Sequence, residues 1–112
     1  MAFKIGEYSF TGPVASIDRH KDKSCIYVIV CKVEGEYFLL DIIESSKLRI
    51  RGENTGKMDC WIKHCNGQLM IFVHNTPLLK QQERIIIEQE LRALFQPACK
   101  TDKKIWFPEV HF

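Results

Sequence analysis

Two nearly continuous apolar runs joined by a short turn constrain the fold more than any other feature of this sequence. The runs cover residues 25–31 and 37–43, and Glu34-Gly35 between them has the length and the glycine of a hairpin turn. Both runs are rich in β-branched and aromatic residues, which favour strands. Because neither run alternates between apolar and polar residues, at least one strand should be buried on both faces. The chain therefore needs covering layers on both sides of a sheet.

The other elements are predicted from turn residues and from periodicity. Residues 1–24 contain glycines, a proline and a charged run, so this arm is expected to be irregular. In the most regular segment, Ile87, Leu91, Leu94 and Phe95 recur at helical spacing. The predicted elements after the hairpin are a short helix at about 45–54, a helical segment at 57–65, a strand at 69–73, a helix that Pro77 opens and Pro97 ends, and an edge strand or packed arm at 101–112.

Composition bounds the class of protein. A chain of 112 residues with 46% apolar and 27% charged residues is expected to form a single domain, 1–112, and is not of the disordered class. Sixteen basic against fourteen acidic residues leave a net charge of +2, which permits a nucleic-acid partner without requiring one. The longest apolar run has seven residues, against about 20 needed to cross a bilayer, so no membrane segment is expected.

The five cysteines are an odd number, and the first residues lack the apolar core of a signal peptide. Reduced thiols in a cytoplasmic protein are therefore expected in preference to a disulfide framework. The alternative is a zinc site at Cys60 and Cys65 with His64 and the distant Cys99, but the spacing matches no usual zinc pair. Structural thiols are the expectation.

Two short motifs lie on the two strands of the predicted hairpin. Cys25-Ile26-Tyr27 begins the first strand of the hairpin, and Asp41-Ile42-Ile43 ends the second. Over about residues 24–99 the chain resembles the GIY-YIG nuclease superfamily, whose motifs Gly-Ile-Tyr and Tyr-Ile-Gly occupy these two positions.

Two further residues carry the resemblance. Arg51 stands eight residues after Ile43, where the family has an arginine on a helix. Glu88 stands nine residues before Pro97, where the family has a metal-binding glutamate on a later helix. The resemblance implies an α+β, sandwich-like domain with a small, mainly antiparallel three-stranded sheet flanked by helices. It also implies a Mg²⁺-dependent endonuclease that hydrolyses phosphodiester bonds, with nucleic acid as its partner and DNA expected ahead of RNA.

The resemblance assigns a role to each candidate residue. Tyr27 would act as the base, although a tyrosine hydroxyl with a pKa of about 10 needs a nearby metal-bound water or Arg51 to favour the phenolate. Arg51 would clamp the phosphate with its planar guanidinium group, and Glu88 would hold Mg²⁺. Arg49 and Lys57 would contact the substrate beside Arg51. These roles require Tyr27, Arg51 and Glu88 to line one cleft, within about 10 Å of one another.

Each of these residues also has an ordinary structural interpretation. Tyr27 suits a packed strand, Arg51 a solvated helix, and Glu88 an ion pair with Arg84 or Arg92, four residues away on either side. The departures from the family motifs are Cys25, Asp41, Ile43 and Thr55. They leave open a catalytically degenerate module that binds nucleic acid or protein, and an unrelated α/β interaction module.

Overall fold

In a computed structural model, the described residues are 2–14, 24–45 and 56–101, and they form a five-stranded sheet with helices on both faces. The elements are β1 (Ala2–Ile5), β2 (Tyr8–Thr11), β3 (Cys25–Val33), β4 (Glu36–Glu44), α1 (Gly56–His64), β5 (Gln68–Asn75), α2 (Gln81–Phe95) and α3 (Ala98–Thr101). The strand order is β1-β2-β5-β3-β4, and each neighbouring pair is antiparallel.

The expected three-stranded sheet is wrong, because β1 and β2 add a hairpin in the arm predicted to be irregular. Each strand has only four residues, and the turn that Gly6 predicts is the turn between them. Gly6 occupies the first position of this two-residue turn with φ 61°, a conformation that favours glycine. Ile5 and Phe10 are buried in the core, so the alternation of apolar residues was the available signal.

The central hairpin is confirmed. Strand β3 pairs with β4 through Glu34 and Gly35, whose φ angles are 52° and 83°, and with β5 on its other side. The predicted strand at 69–73 and helical segment at 57–65 correspond to β5 and α1. Helix α2 begins at Gln81, later than Pro77, because the Glu83 carboxylate accepts a hydrogen bond from the Lys80 backbone N–H. The predicted helix at 45–54 and the predicted arm at 101–112 lie outside the described residues except for Ser45 and for Thr101, which ends α3.

The two faces of the sheet have separate apolar clusters, as the unbroken apolar runs predict. On one face, alternate β3 residues such as Val28 pack with Leu91 of α2. On the other face, the intervening residues such as Tyr27 and Ile29 pack with Trp61 of α1 and Ala98 of α3. Central strand β3 is therefore covered on both sides.

Disulfides join four of the five cysteines, so the expectation of reduced thiols is wrong for these four. Cys31 of β3 is bonded to Cys65, with a Cα–Cα distance of 5.6 Å, and Cys60 of α1 is bonded to Cys99 of α3, at 5.8 Å. The sequence separations of 34 and 39 residues explain why spacing alone did not indicate these pairs. Cys25 lies buried in β3. No helix among the described residues is long and apolar enough to cross a membrane.

Tyr8 of β2 provides a pH-dependent test of this fold. Burial raises the pKa of Tyr8 above 10.0, and the carboxylates of Glu90 and Glu7 add to the rise. The unfolded chain then releases the phenolic proton at a lower pH than the folded protein, so stability falls as the pH rises above about 10. We expect Tyr8→Phe to lose less stability than the wild type between pH 9 and pH 11, measured by urea unfolding. Equal losses would contradict the burial of Tyr8 beside Glu90 and Glu7.

Candidate functional site

Buried ion pairs join helix α2 to strand β4, which lies at one edge of the sheet that the described residues form. Arg84 of α2 donates from Nε to Oε1 of Glu44 at 2.9 Å, and both side chains are buried. A second Arg84 nitrogen, Nη1, donates to the Ser24 hydroxyl at 3.2 Å and to the Leu79 carbonyl oxygen at 2.9 Å. The first turn of α2 is thereby attached to both ends of the central hairpin.

Arg92, two turns further along α2, bridges two carboxylates. Its Nε donates to Oε1 of Glu88 at 3.0 Å, and its Nη2 donates to Oδ1 of Asp41 at 2.5 Å. Nη2 also donates to the Ile42 carbonyl oxygen at 2.6 Å. The side chains of Glu88 and Asp41 are only 1% and 3% exposed, so this guanidinium group compensates two charges that water barely reaches.

The carboxylate of Glu88 also bonds the backbone of β4. Its Oε2 accepts a hydrogen bond from the Glu44 N–H at 2.9 Å, while Arg92 bonds the Ile42 carbonyl two residues earlier. These backbone groups lie on the side of β4 that has no neighbouring strand among the described residues. Side chains of α2 therefore supply hydrogen bonds that a further strand would otherwise make.

Asp41 reaches this network because of a β-bulge. Ile29 pairs with Asp41 and Val30 with Leu39, so Leu40 is an extra residue in β4. The bulge places Asp41 beside Ile29 on the face covered by α1, where its Oδ2 accepts a hydrogen bond from Trp61 Nε1 at 3.1 Å. Oδ1 accepts a bond from the Ile42 N–H at 2.9 Å as well as from Arg92. Asp41 thus joins α1, β4 and α2.

The surroundings of Glu88 do not fit Mg²⁺. A magnesium ion held by a single carboxylate needs oxygen atoms open to it and to several waters. Both Glu88 oxygens instead accept hydrogen bonds, from Arg92 and from the Glu44 backbone, and the side chain is 1% exposed. The adjacent guanidinium charge repels a divalent cation. Of the two ion pairs considered for Glu88, the structure contains the one with Arg92, while Arg84 bonds Glu44.

Tyr27 lies fully buried on β3, in the cluster that faces α1 and α3. It pairs with Ile43 of β4, whose side chain belongs to the same cluster. Glu88 belongs to α2, which packs on the opposite face and approaches the sheet at the β4 edge. Arg49, Arg51 and Thr55 lie outside the described residues, as does the side chain of Lys57. The structure therefore does not bring Tyr27 and Glu88 together from one side of the sheet, and the place of Arg51 in the predicted cleft stays a prediction.

A second group of polar side chains lies where α1 meets α3. Three ligand atoms, one from each of Cys60, His64 and Cys99, lie within 4.8 Å of one another. All three residues are half-buried. His64 Nδ1 lies 3.4 Å from Cys60 Sγ and 2.9 Å from the Cys60 carbonyl oxygen. The sequence placed these three residues in one zinc site together with Cys65, whose sulfur is instead bonded to Cys31.

The functional interpretation depends on the chain's own residues, because comparisons with known protein families, with curated proteins and with solved structures find no match. The resemblance to the GIY-YIG superfamily therefore rests on the motif spacing around Tyr27, Arg51 and Glu88.

Proposed function

We propose that this domain is a catalytically degenerate GIY-YIG-like module that binds nucleic acid without cutting it. The observation that supports the loss of cutting is the double engagement of Glu88, by the Arg92 guanidinium at 3.0 Å and by the Glu44 N–H at 2.9 Å. A metal-binding glutamate would have to break both bonds and leave Arg92 beside the metal. The carboxylate instead anchors α2 to β4.

The motif positions that depart from the family support the same proposal. Asp41, at the tyrosine of the second motif, is occupied by bonds to Trp61 and Arg92. Ile43, at the glycine of that motif, is fully buried and packs in the cluster with Tyr27. Family glycines commonly allow a ligand to approach the backbone, and an isoleucine side chain removes that space. Both substitutions have acquired structural roles.

The resemblance supplies the partner. Arg51 stands at the position of the family's phosphate-clamping arginine, with Arg49 and Lys57 nearby in the sequence. An arginine can bind phosphate oxygens in bidentate fashion without a metal ion. Binding through such contacts releases counterions and weakens as salt concentration rises. DNA is the proposed nucleic acid, ahead of RNA.

A binding assay tests the partner. We expect labelled single-stranded, duplex or branched DNA to bind the full chain, with an affinity that Arg51→Ala lowers by about tenfold and a salt slope that it reduces by about one. Lys63→Ala is the matched control, because it removes one positive charge from an exposed position of α1. Equal weakening by both variants would indicate general charge attraction, and no binding of any DNA or RNA would overturn the proposal.

A cleavage assay on the same substrates tests the loss of activity. With Mg²⁺ or Mn²⁺ present, we expect the wild type to cleave no faster than Glu88→Gln. Adding either metal should not raise the melting temperature of the wild type or of Glu88→Gln, whether or not DNA is present. Metal-dependent cleavage by the wild type that is absent from Glu88→Gln would show an active nuclease. Such cleavage would contradict the degenerate proposal, whatever the binding assay gives.

A further inference from the structure

The half-buried group of Cys60, His64 and Cys99 has the composition of a zinc site. Two cysteines and one histidine are a ligand set that holds Zn²⁺ with a fourth position open to water. Cys60 and His64 lie one helical turn apart on α1 and so share a face, and Cys99 faces them from α3. We propose that these three residues bind Zn²⁺ when the Cys60–Cys99 disulfide is reduced, so that metal and disulfide exclude each other.

The distances support this assignment. In a tetrahedral zinc site with Zn–S bonds of about 2.3 Å and Zn–N bonds of about 2.0 Å, neighbouring sulfurs lie about 3.7 Å apart, and sulfur and nitrogen about 3.5 Å apart. His64 Nδ1 already lies 3.4 Å from Cys60 Sγ, and all three ligand atoms fall within 4.8 Å of one another. After reduction, side-chain rotation has to separate the two sulfurs and bring the His64 nitrogen to about 3.5 Å from Cys99 Sγ.

Neighbouring contacts hold α1 in place when that disulfide opens. Trp61, next to Cys60, is buried and donates a hydrogen bond to Asp41 at 3.1 Å. His64 and Cys60 therefore keep their positions over the sheet. The site is partly organised before the metal arrives, which reduces the ordering needed on binding.

The redox step is a thiol–disulfide exchange. A dithiol reductant attacks the Cys60–Cys99 bond, the two electrons reduce both sulfurs, and the reductant leaves as its own disulfide. The two protein thiols then lose their protons to solvent as their sulfurs bind Zn²⁺. Cys60 and Cys99 are half-buried, whereas Cys31 in the other disulfide is fully buried. The first pair is thus the one in which neither cysteine is a fully buried residue.

Zinc is the expected metal because of the donor atoms. Thiolate and imidazole ligands select Zn²⁺ over Mg²⁺, which prefers oxygen. Binding through Nδ1 replaces the hydrogen bond of His64 to the Cys60 carbonyl oxygen, 2.9 Å away. Cys60 lies inside α1, where a helical carbonyl also accepts the backbone N–H four residues later, so this oxygen is not left without a donor.

Zinc stoichiometry of the full chain tests the proposal. We expect protein reduced with a phosphine to bind one Zn²⁺, measured by competition with a chromophoric chelator, and oxidised protein to bind none. With Co²⁺ in place of Zn²⁺, a thiolate charge-transfer band and tetrahedral d–d bands should appear. His64→Ala should weaken zinc binding at least tenfold, and Cys99→Ser should abolish the site. A reduced wild type that binds no zinc, or oxidised protein that binds equally, would overturn the proposal.

The variant Cys31→Ser/Cys65→Ser is the matched control. It removes the neighbouring pair of cysteines and keeps the three proposed ligands, so its zinc affinity should stay within about threefold of the wild type. If this control loses zinc as fully as Cys99→Ser does, other cysteines bind the metal and the assignment is wrong. If reduction alone lowers the melting temperature, addition of Zn²⁺ should raise it again in the wild type and not in His64→Ala. Failure of zinc to raise it would also count against the site.

Discussion

Replacing Arg92 with methionine is expected to lower the free energy of unfolding by about 3–5 kcal/mol. The substitution keeps an unbranched side chain about as long as the arginine stem but removes the only guanidinium group that contacts both Asp41 and Glu88 among the described residues. Two carboxylates with exposures of 3% and 1% would then remain beside each other without that compensation. Urea unfolding of the purified full chain, followed by circular dichroism, measures the change.

Two further variants make this result specific to the buried charges. Lys63→Met applies the same kind of change at an exposed position of α1 and should alter stability by less than about 0.5 kcal/mol. Adding Glu88→Gln to Arg92→Met should recover part of the lost stability, because it removes one of the two uncompensated charges. If Arg92→Met were no more harmful than Lys63→Met, the ion-pair network would have no energetic importance.

Gly67→Ala should destabilise the protein by about 3 kcal/mol, for a steric reason. Gly67 lies between α1 and β5, where its backbone approaches the end of β3. A Cβ atom at this position would overlap the Lys32 carbonyl oxygen and lie 2.8 Å from Val33 Cγ2. Since a backbone oxygen has no alternative rotamer, β3 or the loop itself has to shift.

Asn66→Ala is the control for this prediction, because Asn66 is exposed and precedes Gly67 in the same loop. We expect it to change the urea midpoint far less than Gly67→Ala. Melting temperatures that fall equally in the two variants would mean that the loop tolerates a Cβ at residue 67, and the close approach to Lys32 would be contradicted.

The sequence predicted the elements whose residue types leave few choices. Strand β3 has an unbroken β-branched and aromatic run, and α2 has apolar residues at helical spacing, so both were predicted in nearly the right places. The hairpin of β1 and β2 was missed because each strand has four residues, too few for the alternation to outweigh the glycine between them. Short strands are stabilised by their neighbours in the sheet, which local sequence does not record.

The ion-pair network could be predicted only in part. Arg84, Glu88 and Arg92 stand at successive turns of one helix face, which indicates ion pairs but not their partners. The pairing of Arg92 with Asp41 depends on the bulge at Leu40. A leucine is an ordinary strand residue, so the sequence does not indicate an extra residue at this point of β4. From the sequence alone, Glu88 could therefore equally be a metal ligand or a member of an ion pair. The positions of Arg92 and the Glu44 N–H in the structure favour the ion pair.

The hydrogen bonds that Glu88 and Arg92 make to β4 have a consequence for association between molecules. An edge strand with open N–H and C=O groups is a template on which a strand of another molecule can pair, and continued pairing leads to aggregation. The side chains of α2 already bond the Glu44 N–H and the Ile42 carbonyl, so an incoming strand would have to displace them. At the other end of the described sheet, β1 offers only four residues for such pairing. Loss of Arg92 would thus remove protection against oligomer growth along β4 as well as stability.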